Sequence, residues 1–174
     1  MRKLLFLISL CAVMSFATQK MDAQVSATAE TTAKIVTRLQ ITKEADLNFG
    51  SMFSPKSGGG TVTVDVNNQR TATGVQLATV SGEAVTAAEF KVAGSPKSTV
   101  TITFPYSFSV TNTDGSGSSM LEDVFTYNDI TSPSTLDGSG NLTIKVGARL
   151  NVYNYQAVGI YKNTSDLKIT VAYN

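Results

Sequence analysis

The strongest constraint on this chain is an alternation of apolar and polar residues with a period of two. Between positions 142 and 152 every second side chain is apolar, and the apolar set is Leu142, Ile144, Val146, Ala148, Leu150 and Val152. A helix would spread these side chains around its circumference, whereas a strand places them on one face. The segment therefore predicts a long, half-buried β-strand.

The same alternation recurs along the rest of the chain. At the C-terminal end the apolar side chains that share one face are Leu167, Ile169, Val171 and Tyr173. Shorter alternating or apolar runs lie at 33–41, 47–49, 62–66, 75–77, 90–92, 100–104, 108–110, 124–127 and 158–160. Segments rich in Gly, Asn, Ser and Pro separate most of these runs, as turns do. Only residues 84–89 suggest a short helix.

This pattern predicts an all-β fold. We expect about nine or ten strands in one immunoglobulin-like β-sandwich that spans residues 24–174, with a closed barrel as the alternative. At this length a domain buries enough surface to fold without disulfides. No apolar segment beyond the first 23 residues approaches the length of a membrane span, so we expect no span after that point.

Residues 1–23 have the pattern of a secretory signal peptide. Arg2 and Lys3 precede a largely apolar run at positions 4–17, which is shorter than the roughly 20 residues that cross a bilayer. Cleavage after Ala17 or after Ala23 fits the preference for small residues, and Ala23 is the favoured site. The prediction is export to the periplasm, the cell surface or the extracellular space.

Composition limits the chemistry that this chain can perform. It has no His and no Trp, and its single Cys, Cys11, falls within the predicted signal peptide. A His-dependent triad or zinc site is therefore excluded. Lys and Arg number 14 against 13 Asp and Glu, which is not the basic balance of a nucleic-acid-binding protein. We expect neither nucleic-acid binding nor a cofactor.

The acidic residues give weak indications of a site. Glu122, Asp123 and Asp129 are close in sequence, but adjacent acids on a strand point to opposite faces. The sequence Asp-Gly-Ser-Gly occurs at Asp114 and at Asp137, with one acid in each loop where calcium needs several oxygen ligands. Hairpin turns explain these two loops better. We therefore predict no catalytic and no metal-binding residues.

Tyrosines are the candidate contact residues for a ligand. Tyr153 and Tyr155 form the densest aromatic pair, and exposed aromatic rings could stack on a glycan. The alternative is that these tyrosines flank strands and cap the core with their hydroxyl groups in water.

The C-terminal strand suggests assembly. This strand alternates and has an aromatic residue at the penultimate position. In both features it resembles the last strand of chaperone–usher pilins, and for this reason the predicted sandwich is called pilin-like. Gly159 lies two positions away from where that family has a glycine, and the pilin disulfide is absent. Val25, Ala27 and Ala29 also alternate, although pilin donor strands carry bulkier side chains. The alternative is an ordinary first and last strand that complete one sandwich.

A series of short motifs resembles the bacterial domain-of-unknown-function family 4402. They are Ile41 to Lys43, Asp46 to Gly50, Gly59 to Val64, Arg70 to Gly74, Phe90 to Gly94, Thr101 to Pro105, Leu136 to Gly140, Val146 to Leu150 and Ile169 to Asn174. The resemblance implies an exported β-sandwich protein, frequent in Bacteroidetes and Proteobacteria, without an assigned activity. Within it, Phe49 should fill the core and Gly50 should relieve a bend in the backbone.

These observations favour a secreted or cell-surface structural protein without enzymatic activity. It would be a subunit of a fibre or of an extracellular matrix that pairs β-strands with itself or with other surface subunits. The residues expected to form the assembly strand are Leu167, Ile169, Val171 and Tyr173. The alternative is an extracellular module that binds a glycan or a protein through Tyr153 and Tyr155.

Overall fold

The computed structural model describes residues 24–174, and the predicted signal peptide lies outside them. Described residues 24–35 belong to one compact unit; they form neither helix nor strand and their side chains are exposed. Residues 36–174 form the other unit, which is all-β as the sequence predicts. The described part of the chain contains no helix long and apolar enough to cross a lipid bilayer.

Thirteen strands make up the described fold, compared with the nine or ten predicted. Four of them have only two residues. In chain order they are β1 (Gln40–Ala45), β2 (Met52–Phe53), β3 (Gly60–Val64), β4 (Arg70–Thr73), β5 (Gln76–Leu77), β6 (Ala88–Ala93), β7 (Thr99–Thr103), β8 (Phe108–Asn112), β9 (Ser119–Tyr127), β10 (Ser134–Thr135), β11 (Asn141–Val152), β12 (Tyr161–Lys162) and β13 (Thr170–Tyr173).

All pairings between these strands are antiparallel. An eight-stranded sheet runs in the order β1-β6-β11-β9-β8-β12, with β3 paired to β11 and β4 paired to β3. A three-stranded sheet has the order β10-β7-β13, and β2 pairs with β5. Buried side chains of β6 and β11 share one core cluster with those of β7, so the two larger sheets pack face to face, consistent with a β-sandwich.

Strand β11 organises the eight-stranded sheet. Its residues 141–146 pair with β6 and its residues 148–152 pair with β3, while β9 pairs with it at residues 146–151. Five of its six predicted inward side chains are buried, and Leu142 is half-buried, which confirms the alternation. Ile144 and Val146 in the first half of β11 belong to one core cluster. The buried side chains in its second half belong to another cluster, which also contains Val62, Val64 and Phe49.

Three sequence predictions of local structure are wrong. Residues 33–39 alternate like a strand, but β1 begins only at Gln40. The short helix suggested at 84–89 is absent from the described fold, and β6 begins at Ala88. Residues 158–160 form an exposed loop instead of a strand, and the Val158 carbonyl accepts a hydrogen bond of 3.3 Å from the Asn112 side-chain amide.

Candidate functional site

The C-terminal strand lies at the edge of its sheet. Within the described residues β13 pairs only with β7, where Val171 is opposite Ile102 and Tyr173 is opposite Val100. The four side chains of the predicted assembly strand face inward: Ile169 is buried, and Leu167, Val171 and Tyr173 are half-buried. The side chains of Thr170 and Ala172 are exposed on the opposite face.

The hydrogen bonds of β13 leave part of its backbone directed outward. The Asn174 N–H donates to the Thr99 carbonyl at 3.1 Å, which fixes the alternation of the ladder. It follows that Ala172 and Thr170 also direct their N–H and C=O groups toward β7. The N–H and C=O groups of Val171 and Tyr173 therefore point to the free edge of the sheet.

A second free edge belongs to β1. Within residues 24–174 this strand pairs only with β6, with Ile41 opposite Val92 and Lys43 opposite Phe90. Residues directly opposite each other project to the same face, so Ile41 and Lys43 face the core side of the sheet. Yet Ile41 is 41% exposed, whereas Val92 is fully buried. The inward face of β1 is therefore only partly covered.

A shallow groove of about 250 Å³ lies between these two edges. Its apolar lining comes from β1, β6 and the residues that lead into β13, and comprises Ile41, Phe90, Leu167 and Ile169. Lys168, the exposed Ser165 and Lys43, which forms an ion pair with Asp46, complete it. The outward backbone groups of Val171 and Tyr173 follow the last lining residue, Ile169, along the chain.

Tyr173 anchors the end of β13 that lies away from the groove residues Leu167 and Ile169. Its hydroxyl accepts a hydrogen bond from the Ser95 N–H and donates one to the Thr37 carbonyl, each at 2.7 Å. These bonds tie the end of β13 to the residues that precede β1 and follow β6. At the other end, Leu167 and Lys43 line the same groove. The two free edges therefore run side by side in opposite directions.

The candidate contact tyrosines lie elsewhere, after the end of β11. Tyr153 lines a second shallow groove of about 260 Å³ together with Gly58, Gly59 and Gly60. Tyr155 is 75% exposed, has a positive φ of 51° and donates its N–H to the Pro55 carbonyl at 2.9 Å. The structure thus presents both rings to solvent beside a glycine-rich loop.

The acidic residues do not converge on either groove. Asp123 accepts two hydrogen bonds from the Arg149 guanidinium, at 2.9 and 2.8 Å, and these lower the pKa of Asp123 to about 2. Glu122 faces the opposite way and is only 4% exposed, and burial raises its pKa to about 7. Asp129 is exposed. Sequence reasoning had given no sign that Glu122 is buried.

Both Asp-Gly-Ser-Gly segments form turns stabilised by their acid. The Asp137 carboxylate accepts the Ser139 and Asn141 N–H groups at 2.8 Å, and Asp114 accepts the Ser116 N–H at 2.8 Å. Hydrogen bonds from Asn141 and Ser139 lower the pKa of Asp137, and those from Ser116 lower the pKa of Asp114. These contacts agree with the interpretation of the two segments as turns.

Comparison with known proteins identifies one family. Residues 39–173 match the family described as "Domain of unknown function (DUF4402)". The chain belongs to the DUF4402 family. No curated protein and no solved structure gives a significant match. The DUF4402 match extends from the residues just before β1 to the end of β13, so both free edges and the groove between them belong to the DUF4402 domain.

Proposed function

We propose that this DUF4402 protein is an exported structural subunit of a surface fibre or extracellular matrix. It carries out no enzymatic reaction, and its immunoglobulin-like β-sandwich joins neighbouring subunits by pairing β-strands. The observation that supports this proposal most directly is the pair of free edges, β1 and β13, on either side of one apolar groove. The signal-peptide pattern of residues 1–23 supports export.

A free strand edge binds another strand because its N–H and C=O groups need partners. An added strand beside β13 would pair with the outward backbone groups of Val171 and Tyr173. It would also cover Ile41 and Leu167, which a shallow groove now leaves partly exposed to water. Backbone hydrogen bonds and apolar burial would thus act together at the same site.

Common devices that protect an edge strand are missing from β13. Natural edge strands often carry charged side chains, proline or a bulge. The exposed side chains of β13 are Thr170 and Ala172, neither of which is charged, and its pairing with β7 is regular over all four residues. The nearest cation along the chain, Lys168, precedes the strand. This edge is therefore open to a partner strand.

The assembly proposal is tested by light scattering on the full chain over a wide concentration range. We expect oligomers that grow with concentration, and we expect Ile41→Arg to abolish them because it places a charge in the groove. Thr42→Arg is the matched control, since this neighbouring side chain is exposed on the other face of β1. A strictly monomeric chain at every concentration, together with cells that bear no fibres, would contradict the proposal.

A second candidate function is glycan binding at Tyr153 and Tyr155. The supporting observation is that both rings are exposed, and that Tyr153 lines the groove that Gly58 to Gly60 help to form. An aromatic face of this kind can stack on the apolar face of a sugar ring. On a glycan array we expect Tyr155→Ala to lose binding and Tyr106→Ala, an equally drastic change at another exposed tyrosine, to keep it. An array without binding would remove this candidate.

A further inference from the structure

The segment that precedes β1 has the pattern of a strand but no strand partner in the described chain. Five of its six odd positions are apolar, with Val25, Ala27, Ala29, Ala33 and Ile35 on either side of Thr31, and its even positions carry polar side chains up to Lys34. Such alternation is typical of a strand with one buried face. Here, however, Val25 is 91% exposed and Ile35 is 98% exposed, and residues 24–35 form no strand. Neither core cluster of the described residues includes any of these apolar side chains.

We propose that residues 24–35 of a second copy of this chain form the strand that pairs with the free edge of β13 and covers the groove. This inference rests on the proposed function, because it names the partner and the segment that take part in the assembly. Each subunit would offer one groove and one donor segment. The contact is therefore head-to-tail, and repetition of such a contact produces a fibre when it does not close into a ring.

The dimensions of the segment fit the groove. The edge to be covered extends over positions 167–173, and a strand rises by about 3.4 Å per residue, so its length is about 24 Å. Twelve extended residues, 24–35, span about 40 Å. The donor segment can thus cover the whole edge, with several residues left to connect the two subunits.

The side chains of the segment also fit. Because the groove is shallow, large side chains could not enter it, and three of the five apolar donor residues are alanines. The segment carries one charge of each sign, Glu30 and Lys34, so it can lie beside Lys168 without a net charge of its own. The small side chains of this segment therefore fit a shallow groove, whereas the bulkier side chains of pilin donor strands would not.

Turn chemistry favours a second copy over the same chain. To lie in its own groove, the segment would have to reverse direction directly before β1, whose entry is held by the hydrogen bond between Thr37 and Tyr173. Residues 30–41 contain no Gly, Pro, Asn or Asp, which are the residues that form tight reversals. A second copy can supply the segment without such a reversal.

Disulfide formation between two single-cysteine proteins tests this contact. Cys11 is the only cysteine of the chain, so both proteins carry Cys11→Ser. One protein also carries Val171→Cys on the free edge, and the other carries Ala27→Cys or Ala29→Cys on the donor segment. Residues directly opposite each other in paired strands have Cα atoms about 4.5–5.5 Å apart, which lies within the range that a disulfide spans. The two proteins are refolded together from urea and then oxidised.

We expect a mixed disulfide at one or both odd positions, with a yield several-fold above that of Thr28→Cys. This control lies between the two test positions, and its side chain would point away from the groove. Equal yields at odd and even positions, or no mixed disulfide at all, would overturn the inference. So would an intrachain disulfide in a monomer that carries Ala27→Cys and Val171→Cys together.

Light scattering on the same proteins separates the two proposals. If the wild-type chain forms oligomers that Ile41→Arg abolishes, but no odd-position disulfide forms, the groove is the assembly site and the donor is another segment. If the wild-type chain is monomeric at all concentrations, the proposed function itself fails. Circular dichroism of each cysteine variant establishes that a negative result does not come from unfolding.

Discussion

At the scale of single residues, Glu122 is the most unusual feature of the described fold. It lies on β9 opposite Leu150 of β11 and Phe108 of β8, and its Oε2 has no hydrogen-bond partner among residues 24–174. Burial disfavours the charged form and raises the pKa to about 7 from an ordinary value of 4.5. The folded chain therefore binds a proton more tightly than the unfolded chain.

This shift predicts that stability falls as the pH rises. Glu122 is protonated in both states below pH 4.5, and between pH 4.5 and about 7 unfolding releases its proton. The free energy of unfolding should decrease by about 3 kcal/mol across that window. Glu122→Gln should remove most of this dependence in urea unfolding, and Glu44→Gln, at an exposed position, should leave it unchanged. An unchanged pH profile in Glu122→Gln would contradict the assignment.

A second prediction at this scale concerns Gly50 and Arg70, which belong to two of the motifs that resemble the family. The Arg70 guanidinium donates to the carbonyls of Phe49, Ser51 and Ala78 at 2.9–3.1 Å. Gly50 has a φ of 68°, and a side chain there would overlap the guanidinium. Gly50→Ala should lower the free energy of unfolding by about 1–2 kcal/mol because alanine disfavours the left-handed backbone conformation. Displacement of the arginine side chain should lower it further.

A double-mutant cycle measures how far these two residues act together. Arg70→Ala should also destabilise the fold, because it leaves three carbonyls without their charged donor. Since Gly50→Ala acts partly through the same guanidinium, the double variant should lose less than the sum of the two single losses. If the two losses of unfolding free energy simply add in the double variant, displacement of Arg70 does not contribute to the destabilisation by Gly50→Ala.

At the scale of strands, β11 changes its partner at a glycine. Gly147 separates the part that pairs with β6 from the part that pairs with β3. A Cβ at this position would overlap the Val64 carbonyl and the Thr126 hydroxyl. Gly147→Ala should therefore cost about 1–3 kcal/mol in urea unfolding, as overpacked cores do. Gly138→Ala, where a Cβ would meet open space, should have little effect.

The strands also show what the sequence can and cannot predict. The alternation at 142–152 predicted β11 to within one residue, and the inward face of the C-terminal strand was predicted correctly. The same pattern at 33–39 gave a strand that the described fold lacks. Alternation indicates which side chains need a buried face, but it does not identify the chain that supplies that face. The change of partner at Gly147 could not be predicted either, because alternation does not show which strands lie beside β11.

At the scale of the whole molecule, the groove results from segments that are far apart in the sequence. Residues near position 41 and residues near position 169 meet only because β1 lies at the end of one sheet and β13 at the end of another. The sequence predicted the C-terminal strand and its inward side chains. It could not predict the second edge, because pairing order is set by contacts between distant segments.

The proposed assembly through this groove would affect the stability of the whole molecule. A partner strand would bind only the folded subunit, whose groove exists when both sheets are formed, and would stabilise that state by mass action. The melting temperature should therefore rise with protein concentration. Ile41→Arg should melt at one temperature at every concentration, and Thr42→Arg should behave like the wild-type chain. If the melting temperature of Ile41→Arg rose as steeply as that of the wild type, the stabilising contact would lie outside the groove.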